Sequence, residues 1–466
     1  MVVLLQKKIN KNINIREEKL KANARKISIK EGSAYSINEG LGMKYITPYA
    51  LELNANNSEI GFLSSIPQML GNLSQIYTTK SMENNSRKNI LFVGAFLQAM
   101  MWIPIIAVGI LFFFFDLNAS LSVTLLIIAY TMFVTFGAFI TPAWNSWMKD
   151  IVTEESGRYF GLRSRICTLV ALVTMLLGGF ILDYFKQTKV FYGFLILFGM
   201  AFLFRSISAF LFRKKYEPKL KLDKDYHFTF WQFLKKIPKS NFGKFVVFVS
   251  LMSLATAIAS PFFAVYMLKD LGFNYTMWIT TIISASIASL IFLPVWGKFI
   301  DNYGTVRIMK ITGLFIPIIP ILWLLSPMML KINTGLLFAY LILVEGFSGF
   351  MWAGFNLAIG NFIYDAVTRQ RLALCTAYFN VVNSIGVFIG ASLGGAISLW
   401  GSDLIGMNSL LFVFLLSGFM RLFIYASMSA KIKEVREIKR FKLKEIKNKF
   451  LSLTFKEMLE YFEIRL

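Results

Sequence analysis

The sequence predicts an all-α membrane protein of twelve transmembrane helices in two pseudo-symmetric six-helix bundles. Three observations carry that prediction. The chain of 466 residues is 56% hydrophobic and 16% aromatic, with a mean hydropathy of +0.59. Its apolar residues fall in runs of roughly 20 or more, the length a helix needs to cross about 30 Å of hydrocarbon. The same landmarks also recur in order: Asp150-Ile-Val-Thr returns as Asp365-Ala-Val-Thr after 215 residues, while Gly178-Gly179 returns as Gly394-Gly395 and Arg205 as Arg421 after 216. Ordered recurrence beside matching hydropathy marks two homologous halves.

The twelve runs lie at about residues 33–53, 58–79, 89–115, 118–147, 160–184, 190–212, 244–268, 275–297, 305–328, 334–360, 372–399 and 404–428. Span 1 is the most polar, because it carries Glu39, Lys44 and Glu52. The implied organisation is a basic N-terminal segment (1–30), a first bundle (31–212), a basic linker (213–243), a second bundle (244–429) and a tail (430–466). The stretch from Arg213 to Lys244 carries ten Lys or Arg against three acids, and it is the one long polar interruption between the halves.

A net charge of +23 invites a nucleic-acid reading, so its placement decides the matter. With both termini cytoplasmic, 42 of the 49 basic residues fall in cytoplasmic segments, four in the opposite loops (Lys186, Lys189, Lys269, Lys331) and three inside spans. That asymmetry is what the positive-inside rule asks of an even number of spans. The charge therefore encodes topology in a cytoplasmic membrane and attraction to anionic lipid, not nucleic-acid binding.

Chemistry-bearing residues are few. Cys167 and Cys375 both fall within spans, so neither a disulfide framework nor a metal cluster is expected, and no cofactor. The single histidine, His227, sits in the linker. No phosphate-binding Gly-x-x-x-x-Gly-Lys-[Ser/Thr] loop occurs, which argues against ATP hydrolysis. The start of the chain has its charges after a short apolar run, the wrong order for a cleaved signal. Before span 5, Glu154 and Glu155 precede Gly157 and suit a helix N-terminus. In the tail, Ile432, Val435, Ile438, Phe441, Ile446 and Phe450 recur among Lys, Arg and Glu, a spacing that suits an amphipathic helix on the membrane face.

Two six-span halves around a basic linker resemble the major facilitator superfamily. The clearest local match is Gly297-Lys-Phe-Ile-Asp301-Asn-Tyr-Gly304-Thr-Val-Arg307 between spans 8 and 9, which resembles that family's loop signature. Its counterpart after span 2 is degenerate, with Gln75 where the family has Asp and the basic pair at Arg87-Lys88. In span 11, Gly386-x-x-x-Gly390-Ala-Ser-Leu-Gly394-Gly395 resembles the Gly-rich pattern of antiporters, with Ala391 in place of proline. The span-4 arginine of proton-coupled members has no counterpart between Asn118 and Trp147. The resemblance implies transport by rocking of two halves, around a cavity lined by spans 1, 4, 7 and 10.

Charge at membrane depth is costly unless paired or hydrated, so each such residue is a functional candidate. Glu345 lies roughly 16 Å, and Lys44 roughly 14 Å, from the outer ends of their spans at 1.5 Å per residue. Both are near the midplane, and the resemblance puts them in one cavity as a pair facing across the halves. Glu39 is a further substrate or proton candidate; five residues from Lys44, it lies about 140° around an unbroken helix, so the two should not share a face. Tyr45, Tyr49, Trp352 and Asn356 are the softer substrate candidates. Arg205 and Arg421 are read as snorkelling from the last spans of each half towards the interface. Pro48, Pro261, Pro294, Pro317 and Pro320 should kink their spans.

A gate at the cytoplasmic end is expected from Gly297, Asp301, Gly304 and Arg307, with Asp301 reaching Arg163 or Arg165 at the start of span 5 when the inner side closes. Asp150 and Arg158 belong to the same end. The reading is a monomeric secondary transporter of a small molecule, with protons as a candidate coupling ion. Efflux of amphipathic compounds comes first, on the aromatic spans and the span-11 glycines. Uptake of a sugar, peptide or organic anion is the alternative, and a transporter fold serving as sensor or scaffold is a third. A membrane enzyme is disfavoured, for want of convergent acids and histidines.

Overall fold

The computed structural model describes residues 2–152, 156–218, 229–368, 371–405 and 408–436, and all regular structure among them is helical. Ten helical segments are long and apolar enough to cross a membrane, from Arg87–Phe115 to Ser409–Lys431. Two more precede them. Span 1 is the end of Val2–Leu41, a 3-10 turn at Met43–Tyr45 and Ile46–Glu52; span 2 is Asn57–Asn84. Both fall below the apolar threshold because they carry charges or a run of Ser, Asn and Gln. The protein is a twelve-span helical membrane protein, and an even number of spans leaves both chain ends on one side. That side is called here the terminal end and the other the distal end.

The expected runs recur as helices that overshoot them. The helix Val2–Leu41 runs unbroken from the basic N-terminal segment into the first part of span 1. The linker contains its own short helix, Phe230–Lys236, whose Phe230 and Phe233 pack on Tyr378 of span 11. The expected acidic start of span 5 (Glu154, Glu155), His227 and the amphipathic tail beyond Arg436 lie outside the described residues.

Proline acts where the prediction placed it, with one exception. Span 7 breaks after Asn241–Ala257 at Pro261, and span 9 breaks after Thr305–Phe315 at Pro317 and again near Pro320. Pro294 sits inside the continuous helix Tyr275–Tyr303. A proline removes one i to i−4 bond, and in hydrocarbon the freed carbonyl has to be satisfied by the protein.

Each half is built the same way. Span 1 packs on spans 5 and 6, span 2 on span 4, and span 3 on spans 4 and 6; in the second half, span 7 packs on spans 11 and 12, span 8 on span 10, and span 9 on span 10. The halves meet along two seams, span 2 with span 11 and span 5 with span 8. A large apolar core runs through both halves, whereas a smaller cluster around Leu91, Trp147, Met148 and Phe212 belongs to the first half alone.

The repeated glycine pairs explain both seams. A Cβ on Gly178 would meet the Tyr45 ring of its own half at 2.6 Å, while one on Gly179 would meet Ile279 of span 8 at 2.9 Å. Gly394 likewise faces the Ile258 carbonyl of its own half at 2.1 Å, and Gly395 faces Ser58 of span 2 at 2.9 Å. In each pair, one glycine closes a half and the next lets the halves touch.

The rest of the span-11 pattern has a packing explanation as well. Cβ atoms on Gly386 and Gly390 would fall 2.6 and 2.1 Å from the carbonyls of Ser250 and Leu254. Every fourth residue of span 11 therefore lies against every fourth carbonyl of span 7, a small-residue contact that lets two backbones approach. A side chain there has to push span 7 away. Gly390→Ala should lower the melting temperature in detergent, on the scale of about 1–3 kcal/mol for overpacking. Gly346→Ala, where nothing lies within 4 Å, should leave it unchanged or raise it by the helix propensity of alanine.

Candidate functional site

Span 1 supplies Glu39 and Lys44 at membrane depth, and its break decides how they meet. Pro48 cannot donate to the Lys44 carbonyl, and the chain tightens into the 3-10 turn, where the Tyr45 amide donates to the Gly42 carbonyl at 3.0 Å. Gly42 permits this because a Cβ there would lie 2.4 Å from the Trp102 ring. The turn changes the angle between neighbours. Lys44 Nζ comes to 3.8 Å from Glu39 Oε1, with the side chains 42% and 37% exposed. The expectation that the two do not share a face is thereby corrected: it assumed an unbroken helix. Glu39 also lies within electrostatic reach of Tyr35 and of Tyr130 on span 4, so it faces into the first half.

Lys44 and Glu345 do not form the pair expected across the halves. The charged neighbour of Glu345 is Arg421 of span 12, with Trp323 of span 9 beside it. Trp352 and Asn356 lie on the same face of span 10 as Glu345, because seven and eleven residues return close to the starting angle. Trp352 is half-buried against Phe355, and Asn356 is exposed.

Tyr45 and Tyr49 are fully buried. The Tyr45 hydroxyl donates to the Met175 carbonyl and its ring packs edge-on against Trp278, across the halves. Tyr49 donates to the Ile105 carbonyl at 2.9 Å and packs on Phe194 and Phe198. Both serve as braces in this conformation.

Arg205 and Arg421 do not snorkel; each is 2% exposed. Arg205 donates Nε to Gln98 at 2.7 Å and Nη1 to Ser208 at 2.8 Å, and it lies 4.9 Å from the Tyr35 ring centroid. The Ser208 hydroxyl in turn donates a hydrogen bond to Glu31 at 3.3 Å, and Arg163 holds the other Glu31 oxygen at 3.4 Å. Arg421 instead donates to the carbonyls of Ile316 and Thr256 at 3.4 and 3.5 Å. Ile316 is four residues before Pro320, so its carbonyl is one that proline deprives of a partner. Burial of two arginines that sequence reasoning sent to the interface follows from these partners, none of which a hydropathy pattern reveals.

Of the residues expected to form a terminal-end gate, Arg163, Asp150 and Asp301 are held within their own halves. Arg163 bonds Glu31 and the Ser28 carbonyl and covers Trp144 at 4.7 Å. Asp301 is 3.8 Å from Arg436, a partner the sequence reading did not name. Asp150 pairs with Arg87 at 2.6 Å. Gly304 begins span 9 with φ +93°, which favours glycine, and nothing lies within 4 Å of a Cβ on Gly297. Arg158 and Arg165 are exposed, and Arg307 is half-buried.

At the distal end the halves are bonded together. The Asp183 carboxylate of span 5 accepts the backbone amides of Tyr275 and Thr276 at the start of span 8, at 2.7 and 2.9 Å. The Tyr275 hydroxyl donates to Glu52, and Lys269 donates to the Ala55 carbonyl at 3.3 Å. Every hydrogen bond described between the halves lies at this end, so they are closed distally.

Just past span 6, Lys215 is buried with its Nζ 2.9 Å from the Met148 sulfur and 4.6 Å from the Trp147 ring centroid. Burial pushes its pKa down to about 8, against the pull of Glu31. Its folded value is below the unfolded one, so stability should rise as pH climbs from about 8 towards 10.5. Lys215→Met should be more stable at pH 7, by on the order of 2–3 kcal/mol, and melting curves from pH 7 to 10 should lose that rise.

The family model described as Major Facilitator Superfamily matches residues 35–250 and 245–459. No curated relative matches the chain by sequence. Among solved structures, a mutant of the nucleoside transporter NupG is similar at a TM-score of 0.66 and 12% identity, over 87% of this chain and 100% of that one. A bacterial homologue of the iron transporter ferroportin, inward-facing, is similar at 0.65 and 12% identity, over 89% and 99%. A bacterial homologue of the lysosomal transporter Spinster, also inward-facing, is similar at 0.58 and 12% identity, over 89% and 95%.

Proposed function

The chain belongs to the major facilitator superfamily, and we propose that it carries a small polar, charge-bearing solute across the cytoplasmic membrane by alternating access. It is a secondary transporter, not an enzyme. The observation that carries the substrate class is the Glu39–Lys44 pair. Two opposite charges, 42% and 37% exposed at membrane depth, are costly unless water or a solute covers them. Such a pair offers one acceptor and one donor to a zwitterion, or one charge to an ion of either sign.

This reading favours the polar alternative over efflux of amphipathic compounds. The efflux expectation leaned on the aromatic spans and the span-11 glycines, and those glycines are accounted for by contact with spans 7 and 2. Metal ions, named for some structural neighbours, fit less well: among the described residues no three His, Cys, Asp or Glu come together to hold one.

Both ends of the cycle have candidate bonds. The positive-inside pattern makes the terminal end cytoplasmic, so distal closure corresponds to an inward-facing state. Moving outward requires the Asp183, Glu52 and Lys269 bonds to break. Glu345, beside Arg421 within the second half, is the candidate proton site.

Three measurements test the reading. A thermal-shift panel of amino acids, nucleosides, organic anions, sugars and lipophilic cations should give a hit among the polar, charged solutes, worth about 2.7 kcal/mol at a hundredfold excess over Kd. Lys44→Gln or Glu39→Gln should abolish it. Hits confined to lipophilic cations, insensitive to both changes, would overturn the substrate class. In proteoliposomes, Glu345→Gln should retain solute binding yet lose accumulation driven by a pH gradient; unchanged accumulation would remove the proton role. Asp183→Asn turns one acceptor into a donor facing a backbone amide, and should shift spin-label distances across the distal end towards opening.

A further inference from the structure

The terminal ends of the two halves carry the same lock, built from different parts of the chain. In the first half, Asp150 at the end of span 4 pairs with Arg87, the first residue of span 3, at 2.6 Å. In the second half, Asp365 at the end of span 10 is the counterpart of Asp150. The first residue of span 9 is Thr305, whose hydroxyl donates to Asp365 at 3.2 Å. Threonine brings the hydrogen bond but no charge.

The missing cation comes from beyond the last span. Arg436 Nε lies 2.8 Å from Asp365, and its Nη1 lies 3.8 Å from Asp301. A second feature repeats as well. After span 6, Glu217 accepts the amide of Arg87 at 2.8 Å; after span 12, Glu434 accepts the amide of Val306 at 2.8 Å. Each acid sits at a helix N-terminus, where free amides and the helix dipole favour a carboxylate.

In the second half, the short segment from Ile432 to Arg436 acts as a strap. Ile432 is 2% exposed. Asn241 at the start of span 7 holds Lys433 by both of its backbone groups, at 2.8 and 3.0 Å. The strap thus touches spans 7, 8, 9 and 10 within five residues. Its exposure differs sharply from that of the first-half lock: the Arg87 side chain is 0% exposed and that of Arg436 is 43% exposed.

We propose that the strap is a detachable lock that favours the state in which the terminal end is open. While Arg436 is seated, it neutralises Asp365 and draws Asp301 towards the second half. When Arg436 leaves, two carboxylates at the tips of spans 8 and 10 lose their cation. They then attract the basic start of span 5, where Arg163 and the exposed Arg165 lie, and the terminal end closes. The first-half lock has no such release, because its arginine is buried inside the bundle. This proposal rests on rocking of the halves and not on the substrate class.

The test is a distance measurement on the full chain. With Cys167 and Cys375 replaced by Ala, spin labels at Lys80→Cys and Asn302→Cys report the separation of the halves at the terminal end. Arg436→Gln should add a shorter-distance population that Arg436→Lys largely suppresses. The charge swap Arg436→Asp with Asp365→Arg should restore the original distribution. A distribution for Arg436→Gln that superimposes on the unsubstituted one would overturn the proposal. If that variant fails to fold, Asn241→Ala decides: it removes the two hydrogen bonds that hold Lys433 of the strap and leaves every charge in place. The shorter population should grow in this variant as well, and an unchanged distribution would equally overturn the proposal. Substrate binding is not read in either arm, so failure of the solute assignment leaves this result interpretable.

Discussion

Hydrocarbon offers no hydrogen bonds, and that constraint organises this protein. A helix can break inside it only where another protein group takes up the freed backbone. Span 9 breaks at Pro317 and Pro320, and Arg421 reaches from span 12 to the Ile316 carbonyl, which Pro320 deprives of its i+4 donor and which otherwise accepts the Ile319 amide at 3.3 Å. The same guanidinium touches Thr256, just before the break in span 7. One buried charge therefore ties three spans of the second half together. Arg205 does the corresponding work in the first half through side chains, joining span 6 to spans 3 and 1 by way of Gln98, Ser208 and Glu31. Removing either arginine leaves unpaired polar groups in a low dielectric, where such groups are most expensive.

Rigid halves make the seams between them meaningful. Each half carries its internal contacts in tight glycine packing, whereas the seams at spans 2 and 11 and at spans 5 and 8 rely on one glycine each from the repeated pairs. The two seams are not equal. Asp183 bonds across the seam of spans 5 and 8, and the residue 216 positions later is Leu399. Carboxylate closure is thus placed on the seam of spans 5 and 8, whereas the seam of spans 2 and 11 is a close backbone contact, with Gly395 against Ser58 and Gly61 against the Ala391 carbonyl. A two-half machine that must separate at one end and stay joined at the other is well served by that division.

How much of this was legible in the sequence varies with the kind of claim. All twelve spans were, because a run of apolar residues long enough to cross a bilayer is a one-dimensional signal. So was the repeat: Gly178-Gly179 and Gly394-Gly395 hold corresponding positions, one glycine turned inward and one towards the other half. Lys44, Glu39 and Glu345 were flagged by the cost of charge at depth. Their partners were not. A straight helix puts Glu39 and Lys44 about 140° apart, and the 3-10 turn before Pro48 changes that angle. Arg205 and Arg421 were assigned to the interface because long side chains usually escape there, but both found buried acceptors.

The sequence by itself determined the number of crossings, the recurrence of one half in the other, and the family. These depend on composition along the chain. Only the tertiary structure decided which charges meet: Lys44 with Glu39, Arg421 with backbone carbonyls, Asp365 with an arginine 71 residues away. Such pairings depend on the rotation and register of helices that are neighbours in space and distant in sequence. A shift of one residue on a helix turns a side chain by about 100°, so a hydropathy profile that places a span correctly still leaves its partners open.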